Sequence, residues 1–345
     1  MSFGSRLLIA RNMKGYSLRE LARCVDISQT AINKYEKDKM MPNSQVLLKL
    51  CECLSVTPDF LFQPENFELK ELEYRKKSNL KKCDKSKATG IILDSIGKYL
   101  EIEEILGKLS NIKIKKTTIT SYEEVEYVAS SLRKEWQLGT DVINSVTNII
   151  EEQGIKVMVL ELPEGFDGVT CYAKSNKQEY PIIIVSNKLG LERKRFTLLH
   201  ELGHLYINIA ENSGIDLEKA CHKFASAFLV PKEKLIELVG NRERYFLPDE
   251  IIALKRYFII SASAMISRLY DCNLINEYQY RNLCIHYREW RKTEPQPVIM
   301  LDEPQRFRIL VLNALSQGLI SLSKSANLLG KDIYDMEQEL NENYS

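Results

Sequence analysis

The stretch Arg195-Phe-Thr-Leu-Leu-His-Glu-Leu-Gly-His constrains this chain more than any other. On a helix, positions i and i+4 lie one above the other on the same face, so His200 and His204 can present their imidazoles to one metal ion. Glu201 stands beside them as the catalytic base candidate, within reach of a water at the metal without being a ligand. The motif asks for a single rigid helix that carries two neutral nitrogen donors and one carboxylate.

Such a site needs a third protein ligand and keeps a fourth position open. The stretch Asp216-Leu-Glu-Lys-Ala-Cys-His-Lys-Phe-Ala-Ser-Ala-Phe-Leu-Val-Pro follows closely and is helical in pattern. Its Glu218 and His222 form a second i,i+4 pair. The chain has 4 histidines, and those at 200, 204 and 222 cluster here, which favours a metal centre over coincidence. Glu218 is the preferred third ligand. His222 is either an extra metal ligand or a group that orients Glu218. Zinc suits two imidazoles and a carboxylate, although manganese or iron would be accepted too. Zinc lowers the pKa of water towards about 7 and polarises a carbonyl, which makes peptide hydrolysis the natural reaction class. Glu201 would take the proton and deliver it to the leaving amine. Tyr206, Tyr172 and Arg195 are the nearby oxyanion candidates, and each reads as structural.

Strand patterns precede the motif. Ile155-Lys-Val-Met-Val-Leu, Val169–Ala173 and Ile182–Val185 read as strands, with a turn at Gly165, Asp167 and Gly168. Helical periodicity returns at Glu192 and continues, with breaks, to the end.

The first 65 residues read as short helices joined by tight turns. Ser17 and Glu20 make a capping box ahead of Leu18, Leu21, Ala22 and Val25. Val25-Asp-Ile fills a turn, and Ser28-Gln-Thr-Ala-Ile-Asn-Lys-Tyr-Glu forms a recognition helix. Ala31, Ile32 and Tyr35 face its core. Ser28, Gln29, Thr30, Asn33 and Lys34 are the DNA-binding candidates, since such side chains donate to phosphates or pair with base edges in the major groove.

Residues 66–139 read as a helical connector. It includes the charged Glu71-Leu-Glu-Tyr-Arg-Lys-Lys, the basic Lys81-Lys-Cys-Asp-Lys-Ser-Lys and an apolar run from Ile91 to Leu106. Residues 140–240 form the metal-bearing core and 241–345 a helical C-terminal region. Helical pairs are expected there around Asp249–Lys255 with Ser261–Tyr270, and around Gln317–Gly330. The fold class expected is mainly α: a five-helix N-terminal bundle, an α+β core with a small sheet, and helices to the end.

A content of 44% hydrophobic and 28% charged residues is that of a globular protein, and a formal charge of +1 excludes a polyanion-coating one. No apolar run reaches the roughly 20 residues that span a bilayer. Met1-Ser-Phe-Gly-Ser-Arg turns straight into a helix pattern with no signal-peptide apolar region, so a cytoplasmic location away from membranes is expected. The 8 cysteines are then expected to be reduced, with Cys24, Cys51 and Cys53 in core positions.

Two resemblances rest on these residues. Residues 5–62 resemble the phage-repressor (XRE) type of helix-turn-helix, through Leu18-Arg-Glu-Leu-Ala, Ile27-Ser-Gln-Thr-Ala-Ile-Asn-Lys-Tyr-Glu, Met41-Pro and Val56-Thr-Pro-Asp-Phe-Leu. This implies a five-helix bundle on a double-stranded DNA operator, often as a homodimer on an inverted repeat, with Gln29, Thr30 and Lys34 towards the bases. Residues 140–300 resemble the ImmA/IrrE metallopeptidases, through Pro181-Ile-Ile-Ile-Val, the His200–His204 motif and Glu218-Lys-Ala-Cys-His-Lys-Phe-Ala. This implies a zincin-like domain binding Zn2+ through His200, His204 and Glu218 and cleaving or controlling a repressor. Many members carry Asn where this chain has His222. The function expected is a DNA-binding zinc endopeptidase that cuts a partner repressor or itself. The alternative is a non-enzymatic DNA-binding regulator with a sensory or structural metal domain, and an antitoxin-like role is a remote third.

Overall fold

The computed structural model describes residues 2–62, 67–70, 81–109, 112–175 and 178–342. The first helices are α1 (Phe3–Lys14), α2 (Leu18–Val25), α3 (Gln29–Glu36), α4 (Ser44–Leu54) and α5 (Pro58–Phe62). The capping box forms: Glu20 N–H donates to Ser17 Oγ at 3.2 Å, and Ser17 N–H donates to Glu20 at 2.6 Å. Ser28 Oγ accepts from Ala31 N–H at 3.1 Å and opens α3. Caps of this kind contribute about 1 kcal/mol each. Leu7, Leu21, Val25, Ile32, Leu50, Leu54 and Leu61 fill the bundle core.

One expectation is corrected in this bundle. Cys24 and Cys53 form a disulfide, with Cα atoms 6.3 Å apart. Cys24 is exposed on α2, and only Cys51 of the three is buried. The packing of α2 against α4 brings together positions 29 residues apart, which spacing along the chain does not reveal.

Next come β1 (Phe67–Lys70) and the long α6 (Lys82–Ile105), which takes in the expected apolar run. The helical reading of Glu71–Lys77 lies outside the described residues. β2 (Thr117–Ile119), α7 (Glu124–Glu135) and α8 (Val146–Glu152) follow, then β3 (Lys156–Leu160), β4 (Gly168–Ser175), β5 (Gln178–Ser186), α9 (Leu191–Tyr206), β6 (Ile207–Ile209) and α10 (Leu217–Leu229). The three expected strands form as β3, β4 and β5. β1, β2 and β6 fall in segments read as helical; at three or four residues they are too short to show an alternating pattern.

The four-stranded sheet runs β1-β4-β5-β3, with β5 parallel to β3 and antiparallel to β4, and β1 antiparallel to β4. A separate parallel pair joins β2 to β6. β5 is buried on both faces, as its unbroken Ile182–Val185 run requires. Ile183 and Val185 face α9, while Ile182 and Ile184 face α6.

The chain closes with α11 (Lys232–Val239), α12 (Pro248–Phe258), α13 (Ala262–Asp271), α14 (Glu277–His286), α15 (Arg306–Ser316), α16 (Leu322–Leu329) and α17 (Ile333–Glu342). The pair expected at Asp249–Lys255 and Ser261–Tyr270 forms as α12 and α13, whereas Gln317–Gly330 holds a turn and the single helix α16, whose partner α15 ends just before it. α12–α14 extend the core on the α9 side through Ile251, Phe258, Met265 and Leu269. α15 and α16 cross to the opposite face and pack with α6 through Leu310, Val311 and Leu328.

α6 is more than a spacer. Its other side packs along α1, closely enough that a Cβ on Gly90 would stand 2.9 Å from the Ile9 carbonyl oxygen. Its Glu103 is fully buried and forms ion pairs with Lys156 of β3 and Arg306 of α15, both at 2.7 Å.

Candidate metal centre and nucleic-acid interface

α9 runs under the sheet with Leu198, Leu199, Leu202 and Leu205 in the core. That burial fixes the helix and turns His200 and His204 to the remaining side. Their Nε2 atoms lie 3.2 Å apart. Two nitrogens sharing a tetrahedral zinc at about 2.05 Å would be separated by about 3.3 Å, so the pair fits one ion. Glu218 closes the arrangement from α10: its carboxylate oxygens stand 3.5 Å from His200 Nε2 and 3.3 Å from His204 Nε2. His200 is buried, His204 half-buried and Glu218 48% exposed, so the cluster opens to solvent on the Glu218 side.

Glu201 is 1% exposed. Thr170 of β4 places its Oγ1 2.9 Å from the Glu201 Oε2 and 2.9 Å from the Glu201 carbonyl oxygen. Gly168, two residues earlier on the same face of β4, makes room for the carboxylate. A Cβ there would stand 3.1 Å from Glu201 Cγ and 2.7 Å from Thr197 Cγ2. Burial, and then the Glu201 charge, push the Cys171 thiol up to about 12, which keeps it protonated and unsuited to nucleophilic attack.

His222 is exposed on α10, its ring edge-on to His200 with centroids 4.4 Å apart and stacked on Phe196 at 5.7 Å. Cys221, absent from the sequence reading as a donor, is buried on the same helix. Donor atoms of His200, His204 and Cys221 all lie within 4.8 Å of one another. The signal was present in the sequence, since Cys221 stands three residues after Glu218 and shares its face.

Of the oxyanion candidates, Arg195 is spent elsewhere. It is fully buried, pairs with Asp302 at 2.8 Å, and donates to the carbonyls of Ile143, Asn144 and Ile259. Tyr206 packs edge-on to Trp136, and burial first, then Glu135, push its hydroxyl up to about 12. Tyr172 is half-buried on β4.

In the N-terminal bundle, α3 buries Ile32 and Tyr35 and exposes Ser28, Gln29, Thr30 and Lys34, with Asn33 half-buried. Ala31 is half-buried against the core. Arg11 of α1 grips Glu36 through two contacts of 2.5 and 3.1 Å and fixes the far end of α3. The exposed face therefore holds neutral donors, one cation and the positive end of the helix, the chemistry that meets phosphates and base edges.

Comparison with known proteins bears on both regions. Residues 150–270 match a peptidase family model described as the IrrE N-terminal-like domain, and residues 7–61 match a helix-turn-helix model. The chain is a helix-turn-helix protein with an IrrE-like peptidase domain. Within its N-terminal part, this helix-turn-helix protein is 38% identical over 61 residues to the HTH-type transcriptional regulator ImmR of Bacillus subtilis (strain 168), covering 18% of this chain and 48% of ImmR. It is also 38% identical over 72 residues to the SPbeta prophage-derived uncharacterized HTH-type transcriptional regulator YonR of the same strain, covering 20% of this chain and 67% of YonR. The chain thus spans about half the length of ImmR. Among the described residues, no helix of this protein is long and apolar enough to cross a membrane.

Proposed function

We propose that this protein is a DNA-addressed zinc endopeptidase that cleaves a regulatory protein, either a partner repressor or another copy of itself, and so controls transcription. The observation that carries the reading is the convergence of His200, His204 and Glu218 on one point, with Glu201 held beside them by Thr170. Zinc bound there supplies a Lewis acid that polarises a peptide carbonyl and eases deprotonation of water. The protein's own groups do the rest. Glu201 Oε accepts the water proton and passes it to the leaving amine. Thr170 keeps that carboxylate aimed, and the buried α9 holds both imidazoles in register. Residues 1–65 address the chain to an operator, as a homodimer if the site is an inverted repeat, with Gln29, Thr30 and Lys34 at the bases and Ser28 and Asn33 at its margins. Residues 140–240 hold the chemistry, 66–139 link the two, and 241–345 brace the core.

Glu201→Gln separates enzyme from regulator. The variant is expected to keep zinc and operator binding and to lose cleavage of a neighbouring repressor and of itself. Undiminished cleavage would remove Glu201 as the base. A wild type that cleaves nothing, but whose DNA affinity follows its zinc content, would favour a metal-sensing regulator.

A further inference from the structure

The two histidines that face Glu218 also form a three-donor group with a sulfur, that of Cys221. α10 carries Glu218 and Cys221 three residues apart, and the sulfur reaches the histidine pair because α10 sits tight on α9 at Gly203. A Cβ on Gly203 would stand 3.1 Å from Cys221 Sγ, 3.2 Å from its Cβ and 3.3 Å from its Cα. Cys221 is fully buried, and its donor atom lies within 4.8 Å of those of both histidines. His200 is 1% exposed and its Nδ1 has no hydrogen-bond partner among the described residues, so its ring takes its polar anchorage from the other nitrogen, at the cluster.

We propose that Cys221 is a ligand of the same metal, so that His200, His204, Glu218 and Cys221 together form a closed four-donor centre. The inference rests on the metal reading above and deepens it. On coordination the thiol proton leaves to solvent and a metal–sulfur bond forms. Two consequences follow. A thiolate among imidazoles selects zinc over manganese or iron, which prefer harder donors. A four-donor set also leaves no open position, the state of structural rather than catalytic zinc sites. The peptidase would then turn over slowly rather than not at all, because the sulfur must leave the metal before a peptide carbonyl can approach.

The test uses the full chain, stripped of metal and titrated with Co2+ while its absorption spectrum is followed. Wild type is expected to show a thiolate-to-cobalt charge-transfer band in the near ultraviolet that saturates with the visible bands. Cys221→Ala should lose that band, keep the visible bands and bind zinc about tenfold or more weakly in chelator competition. Cys221→Ser, which preserves the side-chain volume, should behave alike, so loss of the band cannot be ascribed to misfolding. A wild-type spectrum with visible bands and no charge transfer, or a band that survives in both variants, overturns the proposal and leaves the metal reading intact. A folded wild type that takes up no Co2+ overturns both.

Discussion

Asp302 shows how much of the site's geometry depends on single buried charges far from it in sequence. Its carboxylate caps α8, accepting from the Val146 and Thr147 N–H groups at 3.0 and 3.1 Å and from the Thr147 hydroxyl at 2.7 Å, and it pairs with Arg195 on the motif helix. Burial pushes this carboxyl up, but the Thr147 and Val146 hydrogen bonds and the Arg195 charge outweigh it and hold it below the usual carboxylate range. A depressed folded pKa contributes stability that is present above the unfolded value of about 3.9 and is lost as pH falls through the folded one. Wild type should therefore lose stability below about pH 4, and Asp302→Asn should flatten that limb in denaturant titrations at stepped pH. Asp302→Ala leaves Arg195 buried without its partner and should cost about 3–5 kcal/mol; a loss under 1 kcal/mol would show that the pair is not structural. On the DNA face, Gln29→Ala should cost about 1–3 kcal/mol at one base position while leaving other positions unchanged, measured on a panel of operator variants. His200, Glu201 and His204 were legible in the sequence because their chemistry is local to one helix turn. Thr170 and Asp302 act across fold contacts rather than along the chain and leave no such signal, whereas the spacing of Cys221 from Glu218 was a signal passed over.

At the scale of elements, close approach is set by glycine and cross-linking by cysteine. Gly90 lets α1 lie on α6, and Gly90→Ala would drive a Cβ to 2.9 Å from the Ile9 carbonyl oxygen and 3.0 Å from Met13. Backbone cannot yield as a flexible side chain does, so the variant should lose about 1–3 kcal/mol. Limited proteolysis should then cut between the N-terminal bundle and the rest sooner than in wild type; an unchanged rate would mean the α1–α6 contact is not limiting. The Cys24–Cys53 bond closes a loop of 29 residues between α2 and α4. Chain-entropy arithmetic assigns such a loop about 3–4 kcal/mol. Cys24→Ser should lower the bundle's unfolding midpoint, and reductant should have the same effect on wild type and none on the variant. The helices of the bundle and the strands β3, β4 and β5 announced themselves by caps and periodicity. β1, β2 and β6 did not, since a strand of three or four residues carries no period of its own and is set by its partner.

Across the whole molecule, the two sides of one sheet divide the work. The α9 side holds the proposed metal centre, braced by α10 and by α12–α14. The other side holds α6 with α15 and α16, and α6 in turn carries the DNA-binding bundle through α1. The segment from Lys292 to Gln305 joins the two sides. Along it Glu294 reaches Lys255 at 3.0 Å, Asp302 reaches Arg195, and Glu303 meets Lys194. The C-terminal region is thus fastened to the motif helix, a role that position in sequence alone did not disclose. His200, His204 and Glu218 are proposed to hold one zinc ion per chain, which elemental analysis of purified wild type beside His204→Ala reads out. About one zinc per wild-type chain and almost none in the variant are expected, with both folded by circular dichroism. A folded wild type that holds no metal after zinc is supplied, or a variant that holds as much as wild type, would contradict it.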